Sequence, residues 1–214
     1  MLSNSVAEAL RVSSESANKL DDLVARPSGL PIKTVADWML ASQWAINASV
    51  HNSLLTLFRD NFPAGAFSLL RPVFETLVRV HLIAMGDRQV IEEMCTDRFR
   101  IKFFTHPEKV DNHFHLGGDF KSLYLRIMNF MHSAVHMGME QMKRQFKGDD
   151  LAPNYSEQEI IAVIEMSTVA KFMVTSRVVE RFQTDAEQQV VLSLLREFTS
   201  RQPQVDGTTL GPRG

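Results

Sequence analysis

A recurring start signal for α-helices constrains this chain more than any other feature. A Ser or Thr stands three residues ahead of an acidic residue at Ser5–Glu8, Thr34–Asp37, Ser156–Glu159 and Thr184–Glu187, and each pair opens a stretch with apolar residues every three or four positions. In such a pair the hydroxyl accepts from a backbone N–H of the first turn, while the carboxylate reaches back to the N-cap N–H. Stop signals fit the same register: Arg26-Pro27-Ser28-Gly29-Leu30-Pro31 cannot continue a helix. Period-two alternation bounded by tight-turn dipeptides does not occur where a hairpin needs it. The chain is therefore expected to be all-α.

Seven helices follow from these signals. The first starts near Ser3 or Ser5 and ends before Arg26; the second runs from Thr34 to about Asp60. The third opens at Pro63, a residue suited to a first helical position, and closes at Gly86. Pro72 lies inside it and predicts a lost hydrogen bond and a kink. Asp87 caps a fourth helix through Phe99 and Phe103, residues 106–118 form a loop, and Asp119 caps a long fifth helix to about Gly148. Ser156 and Thr184 open the last two, ending near Phe182 and Thr199. No linker divides the chain, so residues 1–201 read as one helical-bundle domain and 202–214 as a disordered tail without apolar period.

Composition sets the outer limits. A chain of 214 residues can bury a sizeable core without staples. A formal net charge of −2 excludes a strongly basic footprint but leaves room for a local basic patch. A single cysteine, Cys95, rules out an internal disulfide and a thiolate metal site, and reads as a small buried hydrophobe in a reducing compartment. The first residues carry no secretory pattern, and no run approaches the roughly 18 apolar residues of a membrane span. These points predict a soluble, cytoplasmic chain with no membrane partner.

Two helices carry the chemistry. Arg71, Glu75 and Arg79 recur every four residues and share one face of a helix otherwise rich in Leu, Val and Phe. Charges in such surroundings must be paired, so the ladder is expected to be a partly buried network that either fixes helix register or holds a ligand. His132 and His136 share a face of the fifth helix, with Ser133 beside them. Such a pair can serve as base and orienter, can hydrogen-bond structurally across a helix interface, or can bind a metal with Glu75 as third ligand. The segment with His106, His113 and His115 lacks the carboxylate or thiol pattern that would complete a site and reads as a polar surface loop. Phosphate-binding glycine loops, dinucleotide fingerprints and nucleophile elbows are absent.

The segments Leu69-Leu70-Arg71-Pro72-Val73-Phe74-Glu75-Thr76 and Ser133-Ala134-Val135-His136 resemble a broad group of uncharacterised bacterial helical proteins. In that group a Leu-Arg-x-x-x-Glu helix packs near a Ser-x-x-His helix. The resemblance spans roughly residues 40–180 and implies a site at Arg71, Glu75, Ser133 and His136. A more distant similarity is to the HEPN superfamily of helical bundles, many of them metal-independent ribonucleases marked by an Arg followed a few residues later by His. Arg126 and His132 stand in that relation, with Ile127 where the pattern has a polar residue. It implies a His acid/base, an Arg phosphate contact and a site formed across a dimer.

The expected function is thus an intracellular binding or regulatory protein with a polar inter-helix site. Arg71, Glu75, Arg79 and Ser133 are its ligand-binding residues, and it carries no cofactor and no resident metal. Its expected partners are a second copy of itself and a small anionic ligand or RNA. Two alternatives stand beside it. One is a HEPN-like ribonuclease of a toxin–antitoxin or defence system using His136, His132 and Arg126. The other is a metal-dependent enzyme using His132, His136 and Glu75.

Overall fold

The computed structural model describes residues 2–25, 30–102, 104–135, 146–147, 150–151 and 155–201, the side chains of residues 130–151 excepted. Eight helices are present among them: α1 (Asn4–Val24), α2 (Val35–Arg59), α3 (Pro63–Ala84), α4 (Arg88–Cys95), α5 (Thr105–Phe114), α6 (Asp119–Val135), α7 (Glu157–Phe182) and α8 (Asp185–Ser200). The expected all-α bundle is what forms, with one helix more than expected. No helix among the described residues is long and apolar enough to cross a membrane.

The start signals act largely as the sequence implies. Thr34 and Asp37, Ser156 and Glu159, and Thr184 and Glu187 each form the reciprocal pair. At the first helix the cap shifts to Ser3, whose hydroxyl accepts from the Val6 N–H, and Glu8 pairs with Arg11 instead. Asp37 also receives the Arg181 guanidinium at 2.8 Å, so one carboxylate both starts α2 and ties it to the end of α7.

Helices α1, α2, α3 and α7 form the central bundle. Asn61 takes a left-handed conformation (φ 63°), a geometry that Asn tolerates, and turns the chain from α2 into α3. The helices then stay close. A Cβ on Gly65 would stand 3.3 Å from a methyl of Leu57. Buried Leu54, Phe58, Phe67, Leu70, Phe74, Ile164, Phe172 and Val178 fill the centre, joined by Val90, Val110, Tyr124 and Phe198 of the flanking helices.

Helix α3 holds Pro72 inside it, as expected. Other expectations are corrected. Helix α4 ends at Cys95 instead of reaching Phe103. Residues 106–118 are not a loop, because Thr105–Phe114 is helical. There His106 is 5% exposed, stacks on Phe99 and accepts from the Lys102 N–H, which explains a histidine that had read as surface. The fifth predicted helix does not reach Gly148, since Phe146–Lys147 pairs with Asp150–Leu151 as a small antiparallel hairpin. Cys95 is exposed, with its thiol directed at the Met39 sulfur 3.8 Å away. The expected tail, residues 202–214, lies outside the described residues.

The start of α6 is set through space. Asp119 begins the helix but does not cap it. Instead Asp111 of α5, 5% exposed, accepts from the Phe120 N–H at 3.0 Å and the Lys121 N–H at 2.7 Å. These are orphan donors of the first turn, and a carboxylate there is also favoured by the helix dipole. This cap ties the start of α6 to α5.

Candidate functional site

Helices α3 and α6 pack against each other, as the candidate site requires. The ring of His81 lies 4.9 Å from that of Phe120, and farther along the pair Tyr124 sits within the fields of Glu75 and Arg71. The two helices therefore run antiparallel. Arg71 donates through Nε to Glu75 Oε1 at 2.9 Å, and Arg79 approaches Glu75 Oε2 at 3.9 Å. The side chains are 56%, 28% and 35% exposed for Arg71, Glu75 and Arg79. The ladder is thus paired at the rim of the bundle rather than inside it, and pairs this exposed contribute at most about 1 kcal/mol each.

Two donors on these helices have no hydrogen-bond partner among the described residues. The Tyr124 hydroxyl is buried on a side chain only 1% exposed, and the Arg79 Nε is buried too. The Tyr124 pKa is pushed up to about 12, first by burial and then by the Glu75 carboxylate, with Arg71 opposing. The hydroxyl accordingly stays protonated and can donate. Leaving a buried donor unmade costs about 1–3 kcal/mol. The Tyr124 hydroxyl, within the fields of Glu75 and Arg71, is therefore a donor that an added acceptor would satisfy.

No match to this chain emerges from protein-family models, curated proteins or solved structures. What the site can do follows from its own geometry.

The other sequence candidates are placed unequally. Arg126 is exposed on α6. His132 and Ser133 lie on the same unbroken helix, His132 about 12 Å along the axis from Tyr124 and about 120° around it from Arg126. The His132 and Ser133 side chains, and all of His136, lie outside the described residues. The Glu75–His132–His136 metal set therefore does too. Among the described residues, no group of three His, Cys, Asp or Glu side chains is arranged to hold a metal ion.

Sequence reasoning passed over Tyr124, which has the apolar neighbours of any core aromatic; only the fold reveals that its hydroxyl is unsatisfied. It also missed a polar seam inside the bundle. Lys171 is fully buried and pairs with Asp21 at 2.8 Å. Asn47 donates to Thr76 Oγ1 at 2.7 Å and to the Val73 carbonyl at 3.2 Å. His51 is buried, with both ring nitrogens unpartnered among the described residues. Burial, then the nearby Lys171 charge, drives the His51 pKa down to about 3, which keeps the ring neutral. A lone Lys in Val-Ala-Lys-Phe-Met-Val was the available signal for this seam.

Proposed function

We propose that this chain is a helical binding protein that recognises a small anionic group at the α3–α6 seam. The observation that carries the reading is the idle buried hydroxyl of Tyr124, which lies within the fields of the Arg71–Glu75 ion pair. An oxyanion takes a hydrogen bond from this hydroxyl, and the excess of guanidinium over carboxylate in the ladder favours its charge. Glu75 is paired with guanidiniums and the Tyr124 hydroxyl stays protonated, so the chemistry supported is recognition. Inorganic phosphate, sulfate and acetate are the probes, titrated calorimetrically against the wild type and Tyr124→Phe. Saturable binding that weakens about tenfold or more in Tyr124→Phe supports the reading, since a hydrogen bond to a charged group contributes about 1.5–3 kcal/mol. Absence of saturable binding by all three probes overturns it.

We infer that the second partner is another copy of the chain, docked on α2. The outer face of that helix, from Val35 through Trp38, Ala45, Ile46, Ser49 and Asn52 to Thr56, carries no charged side chain over about 30 Å. Val35, Trp38 and Ile46 are 57%, 61% and 46% exposed. Small residues at its middle permit close approach. Lys33 just before α2 and Asp60 just after it are exposed and without ionic partners among the described residues. An antiparallel pairing about a two-fold axis sets Lys33 of each copy against Asp60 of the other.

A further inference from the structure

Between α4 and α5 the chain crosses the surface as a strap of alternating character: Arg98, Phe99, Arg100, Ile101, Lys102. Period two sends successive side chains to opposite faces. Phe99 is 5% exposed, stacked on His106 with ring centroids 5.2 Å apart and covered by the Arg79 guanidinium at 6.0 Å. Ile101 is half-buried. The three cations are consequently all turned outward, and they line a groove of about 430 Å³ with Gln89, Glu92 and Glu93 of α4. None of the three has a carboxylate partner among the described residues. Arg98 Nε donates to the Thr96 hydroxyl, and Arg100 donates to the carbonyls of Asp97 and Phe99, so the guanidiniums are held in place without being neutralised. Two residues beyond Lys102, the Phe104 ring is 68% exposed.

We propose that this strap binds a single-stranded nucleic-acid segment. Alternate residues along a chain lie at most about 7 Å apart, so this row of cations is within the reach of successive phosphates of one strand. Arg98, Arg100 and Lys102 supply that row of charge. The exposed Phe104 offers a face on which a base stacks whatever its identity, the combination that sequence-tolerant single-strand binding uses. The carboxylates across the groove have a role in the same scheme. Glu92 and Glu93 repel a phosphate but accept from the exocyclic amino groups of bases, so they set the strand with its backbone on the strap and its bases toward α4. A duplex hides its base faces and cannot use Phe104, whereas a mononucleotide engages only one of the three cations. Arg79 borders both places, but Arg98, Arg100, Lys102 and Phe104 take no part in the Tyr124 site and this proposal does not depend on that one.

Fluorescence polarisation with labelled RNA and DNA oligonucleotides over a salt series tests the proposal on the full chain. The expected result is binding of single strands in preference to duplex, with log K falling against log salt with a slope of about −2, the value for three phosphate contacts on a single strand. Arg100→Gln is expected to weaken binding and to make the slope shallower by about 0.7. Phe104→Ala, a change at an exposed position that leaves the core intact, is expected to weaken single-strand binding about 5- to 100-fold. Tyr124→Phe is expected to leave oligonucleotide affinity unchanged, so failure here is distinguishable from failure of the anion site. No binding at about 50 mM salt, equal affinity for duplex, equal affinity for a mononucleotide, or an unchanged slope in Arg100→Gln would each overturn it.

Discussion

The Lys171 ammonium, with no exposed surface on α7, has one anionic partner among the described residues: Asp21 of α1, 2.8 Å away and about a quarter exposed. Burial lowers the Lys171 pKa, and Asp21 acts to raise it. Removing the carboxylate strands a buried charge, a loss of about 3–5 kcal/mol, whereas replacing the lysine by an apolar side chain of similar length removes the desolvation cost along with the pair. Chemical denaturation should therefore show Asp21→Asn strongly destabilised and Lys171→Met near wild type or more stable. Equal destabilisation by both would mean that the pair itself, rather than the cost of orphaning the lysine, carries the stability.

Low pH should unfold the protein through its buried histidines. His81 is held down to about 3 by burial first and the Arg177 charge second, with its hydrogen bond to the Leu77 carbonyl opposing; His51 lies at about 3 as well. Unfolded histidines titrate near 6.5, so between that value and about 3 the unfolded chain binds more protons. Stability is fully present above pH 6.5 and declines as pH falls through this window, by up to about 1.4 kcal/mol per pH unit for each histidine. Asp37 adds a second, more acid component. Burial alone would raise it, but hydrogen bonds from Arg181, the Lys33 N–H and Thr34 outweigh burial and hold it at about 2. Its contribution is present above pH 3.8 and lost as pH falls toward 2. Denaturant midpoints measured across pH 4–7 should flatten in His51→Leu, and an unchanged slope would remove His51 from this account.

The α2 pairing predicts concentration-dependent association. Sedimentation should find dimers in the wild type and monomers in Trp38→Glu, with far-UV dichroism unchanged because the residue is 61% exposed. Lys33→Glu should weaken the dimer, and adding Asp60→Lys should restore it. A wild type that stays monomeric at high concentration removes the second copy from the proposed partners.

Asp111 offers a test of how α6 is held. Replacing its carboxylate by Ala leaves the Phe120 and Lys121 N–H groups unsatisfied and should cost about 0.5–2 kcal/mol, while Asn retains a capping oxygen and should recover much of it. Because the cap lies between α5 and α6, Asp111→Ala should also weaken any anion binding that depends on Tyr124. Hydrogen exchange across α6, faster in Asp111→Ala than in Asp111→Asn, checks the first claim directly.

What the sequence determined by itself is local. A hydroxyl three residues from a carboxylate acts within one turn, so Thr34–Asp37, Ser156–Glu159 and Thr184–Glu187 announce their helices without knowledge of the fold. Spacing of four likewise puts Arg71, Glu75 and Arg79 on one face, and the Arg71–Glu75 pair is present. Tertiary structure decided whatever depends on distance through space. The cap of α6 comes from Asp111 on another helix. His106 is core because Phe99 stacks on it, and the Tyr124 hydroxyl is idle because packing seals it from water with no acceptor among the described residues. Lys171 is buried against a residue of α1, far away in the chain. The 98–102 strap shows both limits at once. Its alternation of cation and apolar side chain is legible in the sequence, but a helix was expected there, and only the packing of Phe99 between His106 and Arg79 fixes which face the arginines take. Hydrogen bonds within a turn depend on the nearest neighbours in the chain, whereas burial depends on the whole fold.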